Sequence, residues 1–311
     1  LAAPSISRIV VSTLSRRLAE MLADWPVIVD LDPPDYPFHF GRRLPDLIDR
    51  HRIERVLYIG GGSGALLAAE DIDQMGRALA RAERLLIVNN FYSTDFAGWA
   101  PADALTDLPM ARMDNELGWL LGDGAGLPLV VLDRCATTQF DIDTPTDLMV
   151  IAAHPAVGRH LRDYLQRLDW DRSRLERAVN HFLDDKSEVI VFGRVAAATW
   201  GYLETGTACR TRILAEERGM RADGRLFRAE ARSLLGYVME QNGLERSFQL
   251  LGELGDAAFI DSRVLWAHFA YWPSTVDRFL SDLGRPDLIE DDWLRDFTSA
   301  ALAAPIPVVL G

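Results

Sequence analysis

The chain has 311 residues, 49% of them hydrophobic and 25% charged, which is ample for two folded domains and excludes a disordered protein. Its formal net charge of -13 repels the phosphate backbone of nucleic acids and the anionic face of a membrane, so neither is expected as a partner. The two cysteines, Cys135 and Cys209, match no zinc or disulfide pattern, no apolar run reaches membrane-spanning length and no signal-peptide pattern opens the chain, so a cytoplasmic location is expected.

Taken in order, Ile6 to Val11 reads as a strand, Leu14 to Leu22 as a helix, and Val27 to Val29 as a short strand ending at Asp30. The stretch from Leu31 to Phe40 holds Pro33, Pro34, Tyr36, Pro37 and Phe38 and reads as a surface loop that either lines a substrate site or seals a core edge. Leu44 to His51 is expected as a helix and Arg55 to Ile59 as a strand that runs into Gly60, Gly61, Gly62, Ser63 and Gly64. Glycines there let backbone N-H groups approach an anion, although the spacing is neither GxGxxG nor a Walker loop, and a tight turn explains it as well. A helix beginning near Glu70 and Asp71 runs to about Ala82, and Leu85 to Val88 is the next strand.

That strand ends in Asn89, Asn90, Phe91, Tyr92, Ser93, Thr94 and Asp95. Such a cluster can read a base edge or a sugar hydroxyl, with Asp95 as an oxygen ligand, or form an Asx-rich turn. Asp114 is expected to cap the helix containing Trp119. Leu127 to Leu132 reads as a strand, followed by Arg134 and then by Phe140 to Leu148 with its three carboxylates. Asp141 and Asp143, two apart in an extended segment, share one face, as oxygen ligands of a divalent cation would. Thr144 suits an N-cap, Pro145 a first helical turn, and Asp147 the charge at a helix start.

The run Asp141-Ile142-Asp143-Thr144-Pro145-Thr146-Asp147-Leu148 resembles the late acidic motif of the MobA-like nucleotidyltransferases, which include molybdenum cofactor guanylyltransferase and the phospholactate guanylyltransferases. The resemblance covers roughly the first half of the chain. It implies an α/β fold of GT-A-like type, a mostly parallel sheet with flanking helices, that holds a nucleoside triphosphate (NTP) with Mg2+. Carried onto this sequence, it implies Asp141 and Asp143 as catalytic residues and metal ligands, with Gly60, Gly61, Gly62 and Ser63 against the nucleotide and Asn89 or Asn90 orienting the acceptor. In the family an earlier Gly-Asp-x-Pro-Leu-Leu loop supplies a second aspartate. Aligning Leu66 and Leu67 with its leucines puts Gly62 in that place, so Asp95 is the expected substitute ligand. The family's amino-terminal strand and phosphate loop match nothing here, so residues are expected to precede Leu1, with Leu1 to Ser5 ending the helix after that loop, and to follow Gly311.

Past His154 and Pro155 the pattern changes, giving an expected division into 1–155, the nucleotidyltransferase-like domain, and 156–311, a helix-rich α/β domain. Val157 to Leu168 and Arg172 to Leu183 read as amphipathic helices, and Glu188 to Phe192, Ala257 to Ile260 and Ile306 to Leu310 as strands. Helices between widely spaced strands imply parallel pairing, which would gather Arg194, Asp261, Ser262 and Arg263 at one edge if the strands are neighbours. Those groups suit an anionic ligand, or Asp261 to Arg263 simply open the next helix. His268, among aromatics, is either a packed histidine or a base.

The function expected from this reading is Mg2+-dependent transfer of a nucleotidyl group from an NTP to a phosphorylated or hydroxyl small-molecule acceptor. The alternative is a non-catalytic or repurposed nucleotide- or phosphometabolite-binding protein of the same fold. A homo-oligomer is compatible with either. A dinucleotide redox enzyme is not expected, since the glycine loop lacks the spacing.

Overall fold

In a computed structural model the described residues are 3–33, 37–221 and 223–311. Pro34 and Tyr36 of the expected proline-rich loop, and Leu1, lie outside them. The chain divides into two units, Leu1–Asp141 and Ile142–Gly311, each an α/β arrangement, the first with two sheets and the second with one.

In the first unit β1 (Val10–Thr13) and β2 (Ile28–Leu31) form a parallel pair. Asp30, within β2, is buried and is met by Arg43 at 2.7 Å, Arg50 at 2.8 Å and His51 at 2.8 Å, while Arg43 also reaches Asp32 at 2.6 Å. Arg43, Arg50 and Asp46 project from or beside the helix Phe40–Arg50, which starts before the expected Leu44 and carries Pro45 inside it. A second sheet holds β3 (Val56–Ile59), β4 (Leu85–Val88), β5 (Phe96–Ala100) and β6 (Leu129–Val131) in the order β3-β5-β4-β6. It is mixed, not mostly parallel: β4 and β6 run parallel, while β5 runs antiparallel to both β3 and β4. The short turn from Asn89 to Asp95 accounts for this, because a parallel neighbour needs a longer crossover.

Both faces of this sheet are covered, as two-residue periodicity requires. Leu86, Val88, Ala97 and Trp99 pack on one side with Leu117 and Leu121, whereas Ile87, Phe96 and Ala100 pack on the other with Met75 and Leu79 of the helix Ala69–Arg81.

The second unit has an all-parallel sheet of β7 (Glu188–Gly193), β8 (Arg210–Ala215), β9 (Ala257–Ile260) and β10 (Val308–Leu310), ordered β10-β9-β7-β8. The expected strands become β7, β9 and β10, and β8 is an addition. Ile190, Ala258, Ile260, Val308 and Leu310 face a core with Phe248, Leu251, Trp266, Leu294 and Phe297. Val189, Ala257 and Val309 face a smaller one with Met149, Leu175 and Ala178. Neighbouring residues on each strand thus serve opposite faces, which explains the near-continuous apolar runs of a buried parallel sheet.

Candidate functional site

In the first unit β3 and β4 are both antiparallel to β5, and β6 is parallel to β4, so the carboxyl ends of β3, β4 and β6 share one edge. Ligands of open α/β sheets bind at such an edge. The glycine loop leaves β3 there, and Ser63 forms an isolated antiparallel bridge with Asp141. Gly60 to Ser63 and the start of the acidic motif are therefore brought together. Gly60 N-H donates to the Asp95 carbonyl at 3.0 Å, and Ser63 Oγ reaches that same carbonyl at 3.0 Å. A Cβ at Gly60 would lie 3.0 Å from this carbonyl and 3.4 Å from Asp114 Oδ2, so any larger residue would have to push these neighbours aside by a few tenths of an ångström.

Asn89 is buried at 1% exposure and knots the turn. Its amide nitrogen donates to Asp95 Oδ2 at 2.8 Å and to the Thr138 carbonyl at 3.0 Å, and its oxygen accepts from Asp95 N at 3.0 Å. Asn90 Oδ1 accepts from Tyr92 N at 3.2 Å, an Asx-type turn. Asn89 thus positions Asp95 and is not presented to a base or an acceptor. Asn115 Nδ2 also approaches Asp95 Oδ1 at 3.3 Å.

Tyr58, which the sequence reading passed over, lies near the carboxyl end of β3, beside this edge. Its hydroxyl donates to Asp114 Oδ2 at 2.9 Å. Burial pushes its ionisation well above the usual phenol range, and the charges of Asp114, Asp95 and Asp141 push it further. It is a neutral donor within electrostatic reach of three carboxylates. The available signal was a phenol near the end of an apolar strand, since a buried tyrosine hydroxyl needs a partner. Asp114 begins a short 3-10 turn after Met113, which takes the N-cap position expected for Asp114.

Asp143 belongs to the second unit, where its Oδ2 lies 3.0 Å from Arg263 Nη1. Asp147 caps the helix Pro145–Ile151: its Oδ2 accepts from Asp143 N at 2.9 Å and Thr144 N at 2.8 Å, and Thr144 Oγ1 accepts from Asp147 N at 3.2 Å. That is a reciprocal capping box with Pro145 in the first turn, as the residue types dictate.

The carboxyl ends of the second unit's parallel strands also share an edge. Between β7 and β9 the strand order reverses, the place where open sheets bind ligands. Arg194, after β7, spans it to Asp261, after β9, with Nε at 2.5 Å from Oδ2 and Nη2 at 3.2 Å from Oδ1. Gly193 has φ +124, and a Cβ there would meet Asp261 Cβ at 2.3 Å, so glycine is needed on both counts. Asp261 also accepts from Arg263 N at 3.2 Å, capping the helix Ser262–His268, the alternative noted from sequence. His268 is buried between the rings of Tyr237 and Phe269, and its Nδ1 accepts from Ser233 N at 3.1 Å.

A cavity of about 170 Å³ opens beside this edge, lined by Asp143, Thr144, Ser262, Arg263, Trp266, Thr275, Arg278, Phe279, Asp282 and Gly311. Among the described residues no three or more His, Cys, Asp or Glu side chains are gathered so as to hold a metal ion. Also among them, no helix is long and apolar enough to cross a membrane. No protein-family model matches the chain, and no curated protein matches it.

Proposed function

We propose that the first unit is a nucleotide-binding domain of the MobA-like, GT-A-like nucleotidyltransferase type, and that it transfers a nucleotidyl group from a Mg2+-bound NTP to a phosphorylated or hydroxyl small-molecule acceptor. The observation that supports this reading is the pairing of Ser63 with Asp141, which sets a glycine turn and the acidic motif side by side at the carboxyl edge of a sheet. Magnesium is commonly held by one or two carboxylates together with substrate phosphates, so a preformed cage of three is not required. Asp141 and Asp95, hard oxygen donors of the same unit within reach of Tyr58, fit that role. Asp143, engaged by Arg263, is left out of it.

When bound, the ion would offset charge building on the phosphoryl oxygens. The remaining work falls to the chain. Backbone N-H groups of Gly61 and Gly62 approach the phosphates, and neutral Tyr58 orients Asp114 beside them. A non-catalytic nucleotide binder is the second reading, favoured by Gly62 at the family's aspartate position and by the hydrogen bonds that Asn89 and Asn115 already make to Asp95. Calorimetric titration of the full chain with each NTP, with and without Mg2+, tests both. Magnesium-dependent heat with pyrophosphate release on adding acceptors supports transfer, heat alone supports binding only, and no heat with any NTP removes both.

A further inference from the structure

The cavity of the second unit is not used by the nucleotide reading, and its walls divide by chemistry. Trp266 and Phe279 give it an apolar side, while Arg263, Arg278 and Asp282 line it with charge. Arg278 donates from Nη2 to Thr275 Oγ1 at 3.1 Å and stands 5.9 Å from the Trp272 ring. It makes no ion pair with a carboxylate among the described residues. Arg263 commits one nitrogen, Nη1, to Asp143, whose side chain is 54% exposed, leaving the rest of its planar fork for another partner.

Asp282 ends the helix Thr275–Asp282, and its side chain takes part in no hydrogen bond or ion pair among the described residues. Burial pushes its carboxyl up to about 7; Arg263 and Arg278 pull against this, and Asp147 and Asp261 add to it. Its place at the negative end of a helix acts in the same upward sense. Near neutrality the cavity therefore carries two guanidiniums against a half-neutralised Asp282 and an Asp143 already shared with Arg263. Among the charged groups that line the cavity, positive charge exceeds negative.

We infer that this cavity binds a small organic oxyanion, a carboxylate or a phosphate monoester, whose charged end lies on Arg263 and Arg278 and whose hydrocarbon part lies against Trp266 and Phe279. Protonated Asp282 donates to a ligand oxygen, and ionised Asp282 repels it. Affinity then falls as pH rises through neutrality.

The test is calorimetry on the full chain at fixed ionic strength with two probes, inorganic phosphate and benzoate. Binding of phosphate alone identifies a phosphorylated ligand, and binding of benzoate alone a carboxylate. R263Q and R278Q should each weaken the bound probe by about tenfold, the size of one charge-assisted hydrogen bond. For benzoate, whose charge is constant over the range, affinity should drop between about pH 6 and about pH 8 in the parent and stay level in D282N. Circular dichroism reports folding, and R263Q, at a partly exposed side chain, carries the test should R278Q fail to fold. Binding of neither probe, or binding that survives both arginine substitutions, overturns the inference.

Discussion

Arg263 Nη1 sits 3.0 Å from Asp143 Oδ2, joining the loop before the helix Pro145–Ile151 to the first turn of the helix Ser262–His268. Asp141, two residues earlier, belongs to the first unit and is bridged there to Ser63. The aspartates of one short motif therefore have different partners. We predict that Asp141→Ala lowers Mg2+-dependent NTP affinity by roughly a hundredfold, as loss of a charged ligand does, while Asp143→Ala leaves it largely intact. Calorimetry on both variants decides; equal losses would sink the distinction.

Asp282 predicts a pH effect on stability. Its folded-state pKa, about 7, lies above the usual aspartate value, so the unfolded chain loses this proton first as pH rises. The associated stability is fully present below about pH 4 and is lost as pH climbs toward 7. Asp282→Asn should therefore stabilise the protein at about pH 8 by on the order of 2 kcal/mol, less what water in the open cavity screens, and should gain nothing at about pH 4. Urea midpoints at the two pH values measure this, and a pH-independent gain would contradict it.

Asp30 predicts the opposite slope. Burial works against its ionisation, but Arg43, His51 and Arg50 outweigh burial and hold its carboxyl below the usual range. This contribution is present above the unfolded aspartate pKa and disappears as pH falls through the lower folded value. Arg43→Met leaves Asp30 and Asp32 buried with fewer cations and should cost about 3 kcal/mol at neutral pH, shrinking below about pH 3. A urea-midpoint loss that does not shrink in acid would point to packing instead.

Thr144 caps its helix through its hydroxyl. Thr144→Ala should destabilise by about 1 kcal/mol, and Thr144→Ser should restore most of it. Failure of serine to rescue the urea midpoint would mean that the methyl group, not the hydrogen bond, carries the effect.

Elements with strong local signals were legible. Leu85–Val88 and Ala257–Ile260 are strands at the residues where short apolar runs end in turn chemistry. The capping box at Thr144 and Asp147 follows from residue type alone. β5 was not read because Phe96-Ala97-Gly98-Trp99-Ala100 has no β-branched residue, and burial of every member erases alternation. β8 escaped because Arg210 and Arg212 on an edge strand look like solvated surface. The site was less legible. That Asn89 would spend its amide on Asp95 and Thr138, or that Asp282 would share a cavity with Arg263, depends on contacts between residues distant in sequence. No local spacing encodes them.

The strand order β10-β9-β7-β8 also bears on how the chain is made. A ribosome delivers β7 and β8 close together, but β9, the other neighbour of β7, emerges only after two further helices, Leu234–Asn242 and Leu244–Leu254. During synthesis β7 can have one ladder complete while the other flank, with Val189 and Ile190, waits for a partner. Nascent chains halted before Ala257 are thus the ones most exposed to pairing with a stranger.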